Sequence, residues 1–496
     1  MVEYLYQSAE LPTNQHINIS THQFTGLLAS KGVHLLKREF TVADEYVFNQ
    51  SSPVMWIISH LTRYPRLIIV YMLVCLTTDA LVSVIPLQTG AAFNAVLQGD
   101  HRGLLVISLE MLGVVLLTST FDLSSRVFPE FLSKRLARDA REELYVNLLG
   151  KSQTFHNRQR VGDIMARAAN DMSQLSFMVA PGLDIVFDSY GSLVIALIFI
   201  GFINWQLLLV PLLFTAALLL ALRRYSRQLE PVADSMREQF GELNAVLTES
   251  VTGVEVVKAT AQEEQEKRKF DHNAGLYRDY FVKNGLVQAW YLPPLLLAIA
   301  MVAGFLHGLL LVTLHQLSIG GLVSFMSLLT LLHYPTFNSN WAFSQVQLGL
   351  AGAQRILAIL KEETDLDENE GGYNAVISGE IAFENVSFSY GDTPVLKNVS
   401  FRAAPGQTIA IVGQTGAGKS TLTKLINRIY DVSEGRVLVD GVDVRSWSLD
   451  ALRSQVSTIE QDIFLFSRSI TENIAYGLGQ QADQPAIEQA ARDAQA

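Results

Sequence analysis

Six long apolar segments dominate the pattern of hydrophobic and polar positions along the first two thirds of the chain. They lie at about residues 67–87, 104–121, 185–203, 205–222, 290–314 and 319–337. A helix needs about 20 apolar residues to cross a bilayer, and most segments reach that length, although the fourth and sixth are short. Helices buried inside a soluble protein would not produce six such runs. The pattern predicts an all-α domain of six transmembrane helices, preceded by an amphipathic, interfacial stretch at residues 53–64.

The loops between the apolar segments differ in length and charge. The second and fourth loops each exceed about 60 residues and carry nine and ten of the lysines and arginines, whereas Arg102 is the one such residue in the short loops. Positively charged loops stay on the cytoplasmic side of a membrane. Both long loops and both ends of the chain are therefore predicted to be cytoplasmic.

Both long loops have apolar residues at three- and four-residue spacing, which predicts that the membrane helices continue into the cytoplasm. Turn-like breaks interrupt them at residues 154–163 and near Thr252-Gly253. Two helices joined by a short cross-piece would form a lever, with Phe155 as the buried anchor of the first tip. The alternative is a pair of solvated, charged hairpins.

The pattern changes after residue 350. A helical stretch at residues 351–360 and an acidic, glycine-terminated stretch lead into strand patterns at residues 380–390, 395–401 and 408–412. An Asp-Gly turn within residues 437–444 predicts a hairpin. We divide the chain into an unassigned N-terminal extension with a weak helical pattern (1–52), the membrane domain (53–350), a linker (351–378) and an α/β domain (379–496).

Composition supports a membrane protein and bounds its partners. Hydrophobic residues make up 49% of the chain and charged residues 17%, below the roughly 25% usual for soluble domains. The net charge of −11 argues against a nucleic-acid partner. The first fifty residues hold no signal-peptide-like apolar run, so the N-terminus is expected to remain cytoplasmic. The lone cysteine, Cys75, lies in the first apolar segment and has no partner for an intrachain disulfide.

Four polar residues interrupt the apolar segments: Asp79, Glu110, Asp188 and His307. Such groups are costly in lipid and normally face the protein interior, so they are candidates for a substrate path. The alternative is that several lie near helix ends in contact with water.

A glycine-rich segment carries the clearest chemistry in the chain. It consists of Gly413, Gln414, Thr415, Gly416, Ala417, Gly418, Lys419 and Ser420, followed by Thr421 at the start of a predicted helix. The spacing G-x-x-x-x-G-K-S between a strand and a helix predicts a P-loop that cradles phosphates with backbone N–H groups. Lys419 would reach the β- and γ-phosphates, and Ser420 would coordinate Mg²⁺. The alternative is a glycine-rich turn that fits the pattern by chance.

The motifs together resemble those of the ATP-binding cassette exporters, specifically half-transporters with a six-helix membrane domain fused to a P-loop NTPase domain. Tyr390 matches the family's adenine-stacking aromatic, and Gln461 matches the Q-loop glutamine that contacts Mg²⁺ and the attacking water. Residues 154–162 and 254–258 match the two coupling helices, and residues 354–357 match the linker helix.

The resemblance implies ATP and Mg²⁺ as ligands, with Ser420 and Gln461 beside the metal. It also implies a cytoplasmic nucleotide-binding domain, a multi-pass location in the cell membrane, and a homo- or heterodimer with a second half-transporter. A transported substrate is implied but not identified.

The sequence departs from the family pattern after Gln461. It contains no L-S-G-G-Q signature, no acidic Walker B strand with its glutamate, and no switch histidine. No catalytic set is therefore complete, and we interpret the nucleotide-binding domain as truncated. ATP binding without steady hydrolysis is expected of this chain. The alternatives to an exporter subunit are an ATP-binding regulatory or gating membrane protein, and a fragment that is inactive as encoded.

Overall fold

The computed structural model describes residues 37–42, 45–461, 463–478 and 483–495. It divides into two compact units. Unit 1 comprises Met1–Tyr46, Tyr145–Asp163 and Leu360–Ala496, and unit 2 comprises Val47–Leu144 and Ile164–Ile359. Most of the weak N-terminal helical pattern falls outside the described residues, and residues 37–40 form no helix.

Unit 2 contains the membrane helices, and the prediction of six is confirmed. The interfacial helix α1 spans Pro53–Thr62. The six long helices are α2 (Pro65–Gln98), α3 (His101–Leu149), α5 (Val161–Ile203), α6 (Trp205–Thr252), α8 (Glu263–Thr313) and α9 (Ile319–Lys361). They have 34 to 51 residues, and a 51-residue helix is about 77 Å long, more than twice the ~30 Å of a bilayer core. Each helix therefore extends beyond its predicted apolar segment.

Local irregularities divide several of these helices. Two π-helical turns interrupt α5, at Arg167–Asp171 and Met178–Leu183. Helix α8 consists of Glu263–Ala289 and Pro293–Thr313, and α9 consists of Ile319–Leu331 and His333–Lys361. Short helices occupy both predicted breaks of the long loops: α4 spans Gln153–Arg158 and α7 spans Val254–Ala259. The predicted positions of the two tips are therefore confirmed.

The core of unit 2 is apolar, with Ile200, Leu207, Phe325 and Leu328 fully buried. Helices α2 and α9 pack closely against each other at two glycines. A Cβ on Gly90 would lie 2.1 Å from the carbonyl oxygen of Gly320, and the Asn94 side chain accepts a hydrogen bond from the Gly320 N–H at 2.9 Å. Only small residues allow such a crossing of membrane helices.

The C-terminal part of unit 1 contains a four-stranded antiparallel sheet with the order β2-β1-β3-β4. The strands are β1 (Ile381–Tyr390), β2 (Thr393–Ala403), β3 (Glu434–Val439) and β4 (Val442–Asp443). The helices are α10 (Lys419–Ile426), α11 (Leu449–Arg453), α12 (Ile470–Ile474) and α13 (Gln484–Asp493). The fold class is confirmed as a six-helix membrane domain followed by an incomplete P-loop NTPase domain of α/β type.

The predicted hairpin is present, with Asp440 and Gly441 at its turn. Both residues have positive φ angles, of 50° and 77°, as a two-residue hairpin turn requires. The Asp440 side chain also accepts hydrogen bonds from the backbone N–H groups of Gly379 and Glu380, at 3.1 and 2.8 Å. The turn residue thereby ties the hairpin to the start of β1.

The prediction of a strand at residues 408–412 is wrong. These residues form no regular secondary structure, and 41% of Ile411 and 89% of Val412 are exposed. Buried parallel strands need a neighbouring strand on each side, and none of the four described strands pairs with this segment. Its apolar side chains therefore have no sheet in which to be buried.

Candidate functional site

The P-loop has the backbone that its glycines allow. Gly416 and Gly418 have φ angles of +85° and +86°, a region that other residues adopt only at a cost. A Cβ on Gly418 would also lie 2.8 Å from Leu396 Cδ2 of strand β2. Helix α10 starts at Lys419, directly after the loop, so its N-terminal N–H groups and positive dipole end adjoin the loop.

The Lys419 side chain folds back over this loop. Its ammonium group donates hydrogen bonds to the carbonyl oxygens of Gly413 and Gln414, at 3.0 and 2.9 Å. Ser420 is exposed in the first turn of α10. A cation, a helix N-terminus and a hydroxyl group thus meet at one surface, which is the set of groups that binds a phosphate and its metal ion.

Tyr390 lies beside this loop at the end of β1. Its hydroxyl oxygen is 3.4 Å from Thr421 Oγ1, and its ring packs edge-on against Phe388 and Tyr430, with centroids 4.8 and 5.2 Å apart. The ring remains 38% exposed. The structure therefore brings Tyr390 and the start of α10 together, with one part of the aromatic surface open to a ligand.

Gln461 lies in an exposed, irregular segment. Within the described part of the chain, no hydrogen bond joins its side chain to the P-loop. Thr458 and Glu460, which lie just before Gln461, line a cavity of about 270 Å³. The other residues that line this cavity are Gln153 of the first tip and, in or just after α10, Thr423, Lys424, Asn427 and Ile429. This cavity lies beside the P-loop helix, and its lining does not include Lys419 or Ser420.

The first tip, α4, and the P-loop belong to the same compact unit. The sequence analysis had placed them in different domains. Phe155 is 3% exposed, so its predicted role as a buried anchor is confirmed. The Asn157 amide donates to the Tyr430 hydroxyl at 2.7 Å, and the Ser152 N–H donates to Thr364 Oγ1, also at 2.7 Å. The prediction that at least one tip lies against the α/β domain is confirmed.

Lys151, next to the tip, is buried in this contact. Its ammonium group donates to the Glu362 carbonyl oxygen and lies 5.6 Å from the centre of the Phe155 ring. Burial and, to a lesser extent, the nearby Arg38 lower the pKa of Lys151, the Glu362 carboxylate opposes both effects, and the resulting pKa is about 8. A buried lysine next to the anchor makes this contact sensitive to pH.

An N-terminal strap, residues 37–42, also holds the tip. The Glu39 N–H donates to the Gly150 carbonyl oxygen at 2.8 Å, the Glu39 carboxylate pairs with Arg453 at 2.7 Å, and the Glu368 N–H donates to the Arg38 carbonyl oxygen at 2.8 Å. Burial raises the pKa of Glu39, although Arg453 opposes this shift. The sequence analysis left this segment unassigned, because isolated polar residues carry no signal of a distant partner.

The second tip, α7, has a different surface. It carries valines, and 47% of Val254 and 66% of Val256 are exposed. None of its six residues is buried. It is therefore an apolar turn of helix that faces solvent in this single chain.

The four polar residues of the membrane segments differ in their environments. Asp79 is 7% exposed, Asp188 and His307 are half-buried, and Glu110 is exposed. One carboxylate oxygen of Asp79 on α2 and one of Asp188 on α5 lie within 4.8 Å of each other, and both lie within the same distance of the Cys75 sulfur.

Comparison with known proteins agrees with this geometry. The family model described as "ABC transporter transmembrane region" matches residues 68–336, and the model described as "ABC transporter" matches residues 396–496. The chain belongs to the ABC transporter family. The resemblance inferred from the motifs is thus confirmed, as is a multi-pass membrane protein with a nucleotide-binding domain of this family.

Among curated relatives, the ATP-dependent lipid A-core flippase of Syntrophus aciditrophicus (strain SB) is 30% identical over 373 residues, which is 75% of this chain and 62% of the relative. The probable multidrug resistance ABC transporter ATP-binding/permease protein YheI of Bacillus subtilis (strain 168) is 31% identical over 359 residues, 71% of this chain and 61% of the relative. This ABC transporter chain therefore spans about three fifths of the length of these relatives.

Proposed function

We propose that this chain is a subunit of an ATP-driven exporter, in which ATP binding at the P-loop is transmitted to the membrane helices through the first tip. One observation carries the proposal. Asn157 of the tip hydrogen bonds Tyr430, Tyr430 packs edge-on against Tyr390, and the Tyr390 hydroxyl contacts Thr421 of the P-loop helix. A change at the nucleotide site thus has a continuous chain of contacts to the end of α3.

Each proposed site residue has a separate task. The P-loop backbone from Gly413 to Gly418 and the ammonium of Lys419 would hold the phosphates, and Thr421 would extend the row of helix N–H groups toward them. Ser420 and Gln461 would hold Mg²⁺, which neutralises phosphate charge when bound. The exposed part of the Tyr390 ring offers an apolar surface to the adenine.

The wider assembly is part of the same proposal. Residues 379–496 act as the nucleotide-binding domain on the cytoplasmic side of the cell membrane, residues 351–378 as a linker, and residues 53–350 as the membrane domain. We place the second subunit against the exposed valines of α7, where a partner would remove apolar side chains from water. The named relatives act on lipid A-core or in multidrug resistance, and an amphipathic organic substrate is the class those names share.

Nucleotide binding is tested with a fluorescent ATP analogue and the full chain in lipid nanodiscs. Lys419→Ala should weaken binding at least tenfold, because it removes the cation at the phosphate site. Lys424→Ala is the matched control, since Lys424 lies in the same helix but lines the neighbouring cavity, and it should leave binding unchanged. Equal losses in both variants would contradict the assignment of the P-loop.

Transmission is tested through Cys75, the single cysteine of the chain. ATP should change the rate at which Cys75 is alkylated in nanodiscs, and Phe155→Ala should remove this ATP dependence while ATP still binds. If ATP changes the rate of Cys75 alkylation equally in the unaltered chain and in the Phe155→Ala variant, the first tip does not transmit the signal.

A further inference from the structure

Three potential ligand atoms meet between α2 and α5 in the membrane unit. The Cys75 sulfur, one carboxylate oxygen of Asp79 and one of Asp188 all lie within 4.8 Å of one another. Cys75 and Asp79 are four residues apart and so share one face of α2. Cys75 is 3% exposed and Asp79 is 7% exposed, so both helix-α2 groups are more than nine-tenths buried.

The Asp79 carboxylate lacks the partner that its burial requires. Its Oδ2 atom is buried with no hydrogen-bond partner in the described part of the chain, and no salt bridge there reaches Asp79 or Asp188. A methyl group on Gly191 of α5 would lie 2.4 Å from this oxygen. Asp79 therefore points across to α5, one helical turn from Asp188. Buried charges in proteins are normally paired or bound to a metal ion.

The spacing of Cys75 and Asp188 is close to that of two ligands on a tetrahedral metal ion. Zn–S and Zn–O distances near 2.3 and 2.1 Å at a tetrahedral angle place the sulfur and oxygen about 3.6 Å apart. The observed distance from Cys75 Sγ to Asp188 Oδ1 is 3.8 Å. One thiolate with two carboxylates is a ligand set that suits Zn²⁺ and its tetrahedral analogue Co²⁺.

Further polar groups of α2 and α5 lie next to the cluster. The Tyr71 hydroxyl, one turn before Cys75, donates to Asp184 Oδ1 at 2.6 Å. Asp184 precedes Asp188 by one helical turn of α5. The Arg126 guanidinium pairs with Asp122 of its own helix at 3.1 Å. The Tyr71–Asp184 hydrogen bond joins α2 to α5 one helical turn away from Cys75 and Asp188.

We propose that Cys75, Asp79 and Asp188 form a divalent-cation site of the zinc class inside the membrane domain, with an open fourth position. Neither the family assignment nor the nucleotide site implies this site. It stands apart from the proposed ATP-driven function, because its three ligands lie on α2 and α5 of unit 2. The site also requires a small residue at Gly191, since a methyl group there would displace the Asp79 carboxylate.

The test is a Co²⁺ titration of the full chain in nanodiscs, with Zn²⁺ as competitor. We expect one Co²⁺ per chain and a thiolate-to-cobalt charge-transfer absorption that Zn²⁺ abolishes. Cys75→Ser should remove the absorption, and Asp79→Asn and Asp188→Asn should each weaken binding at least tenfold. Glu110→Gln is the matched control, because Glu110 is an exposed acid in another membrane helix, and it should bind like the unaltered chain.

Gly191→Ala adds a test that removes no ligand. The extra methyl group should weaken Co²⁺ binding because it displaces Asp79, while the charge-transfer absorption persists at saturation. The unaltered chain decides the main question even if a variant fails to fold. Absence of the absorption there would overturn the proposal, as would an absorption that survives equally in the Asp79→Asn and Asp188→Asn variants. Binding of a lipophilic organic cation in place of Co²⁺ would also overturn it and would indicate a cluster for organic cations.

Discussion

The two cytoplasmic tips differ in a way that their sequences do not suggest. The first tip, α4, is mostly polar, yet its phenylalanine, Phe155, is 3% exposed and its contacts lie within unit 1. The second tip, α7, carries three valines and has no buried residue. Average hydrophobicity thus fails to tell which tip is docked. One anchor with matched hydrogen-bond partners is sufficient for docking in a single chain, whereas none of the valines of the second tip is buried.

The largest effect expected from this comparison is that of Phe155→Ala. Replacing a buried phenylalanine with alanine costs about 3 kcal/mol or more, because it removes apolar contacts and leaves a cavity. Hydrogen exchange of the α4 amides should therefore accelerate by about 100-fold in the full chain. Val256→Ala, at an exposed position of the second tip, should change exchange in α7 by less than threefold. Similar accelerations in both tips would remove the distinction between them.

Lys151 should make the first tip more stable as the pH rises. Its folded-state pKa of about 8 is below the ordinary value of 10.5, so the open state binds more protons between these two pH values. The opening free energy should then increase between about pH 8 and 10.5, by at most about 1.4 kcal/mol per pH unit. Below pH 8 the lysine is charged in both states and contributes no slope.

The check is hydrogen exchange of the α4 amides against pH, corrected for the intrinsic exchange rate. Lys151→Met retains the apolar stem and should remove the slope between pH 8 and 10.5. Lys258→Met in the exposed second tip is the matched control and should leave the α4 profile unchanged. A slope that persists in Lys151→Met must come from another group.

The Asn157–Tyr430 hydrogen bond should contribute about 1 kcal/mol to docking, the usual net value for such a bond. Asn157→Ala and Tyr430→Phe should therefore show a coupling energy of about that size in a double-mutant cycle on α4 exchange. Val256→Ala combined with Tyr430→Phe should be additive within about 0.5 kcal/mol. Additivity in the first pair would mean that this hydrogen bond does not hold the tip.

The smallest effect on the isolated chain is expected from Val254→Ser. Since Val254 is exposed, its replacement should change the free energy of unfolding by no more than about 0.5 kcal/mol. The proposed dimer should respond more strongly, with a lower dimer fraction in cross-linking of the chain in native membranes. A large loss of stability without any change in dimer fraction would place the valines in an intrachain contact.

Whether a segment of this chain is buried depends on contacts with distant residues, which the local sequence does not specify. The residues 408–412 have the composition of a buried strand, yet Val412 is 89% exposed because no described strand pairs with this segment. The strap through Glu39 had the opposite outcome. Its polar residues suggested no partner, but Arg453 and the Gly150 carbonyl oxygen give it specific contacts. In both cases the neighbours in space decided the result.

Much of the architecture was determined by sequence alone, because it depends on local physics. Six apolar runs are sufficient to predict membrane helices, an Asp-Gly pair predicts its turn, and the spacing from Gly413 to Ser420 predicts the P-loop. Tertiary structure alone decided that Phe155 docks while Val256 is exposed, that Asn157 meets Tyr430, and that Asp188 lies opposite Cys75. Such contacts join residues dozens to hundreds of positions apart, and their geometry depends on how whole helices pack.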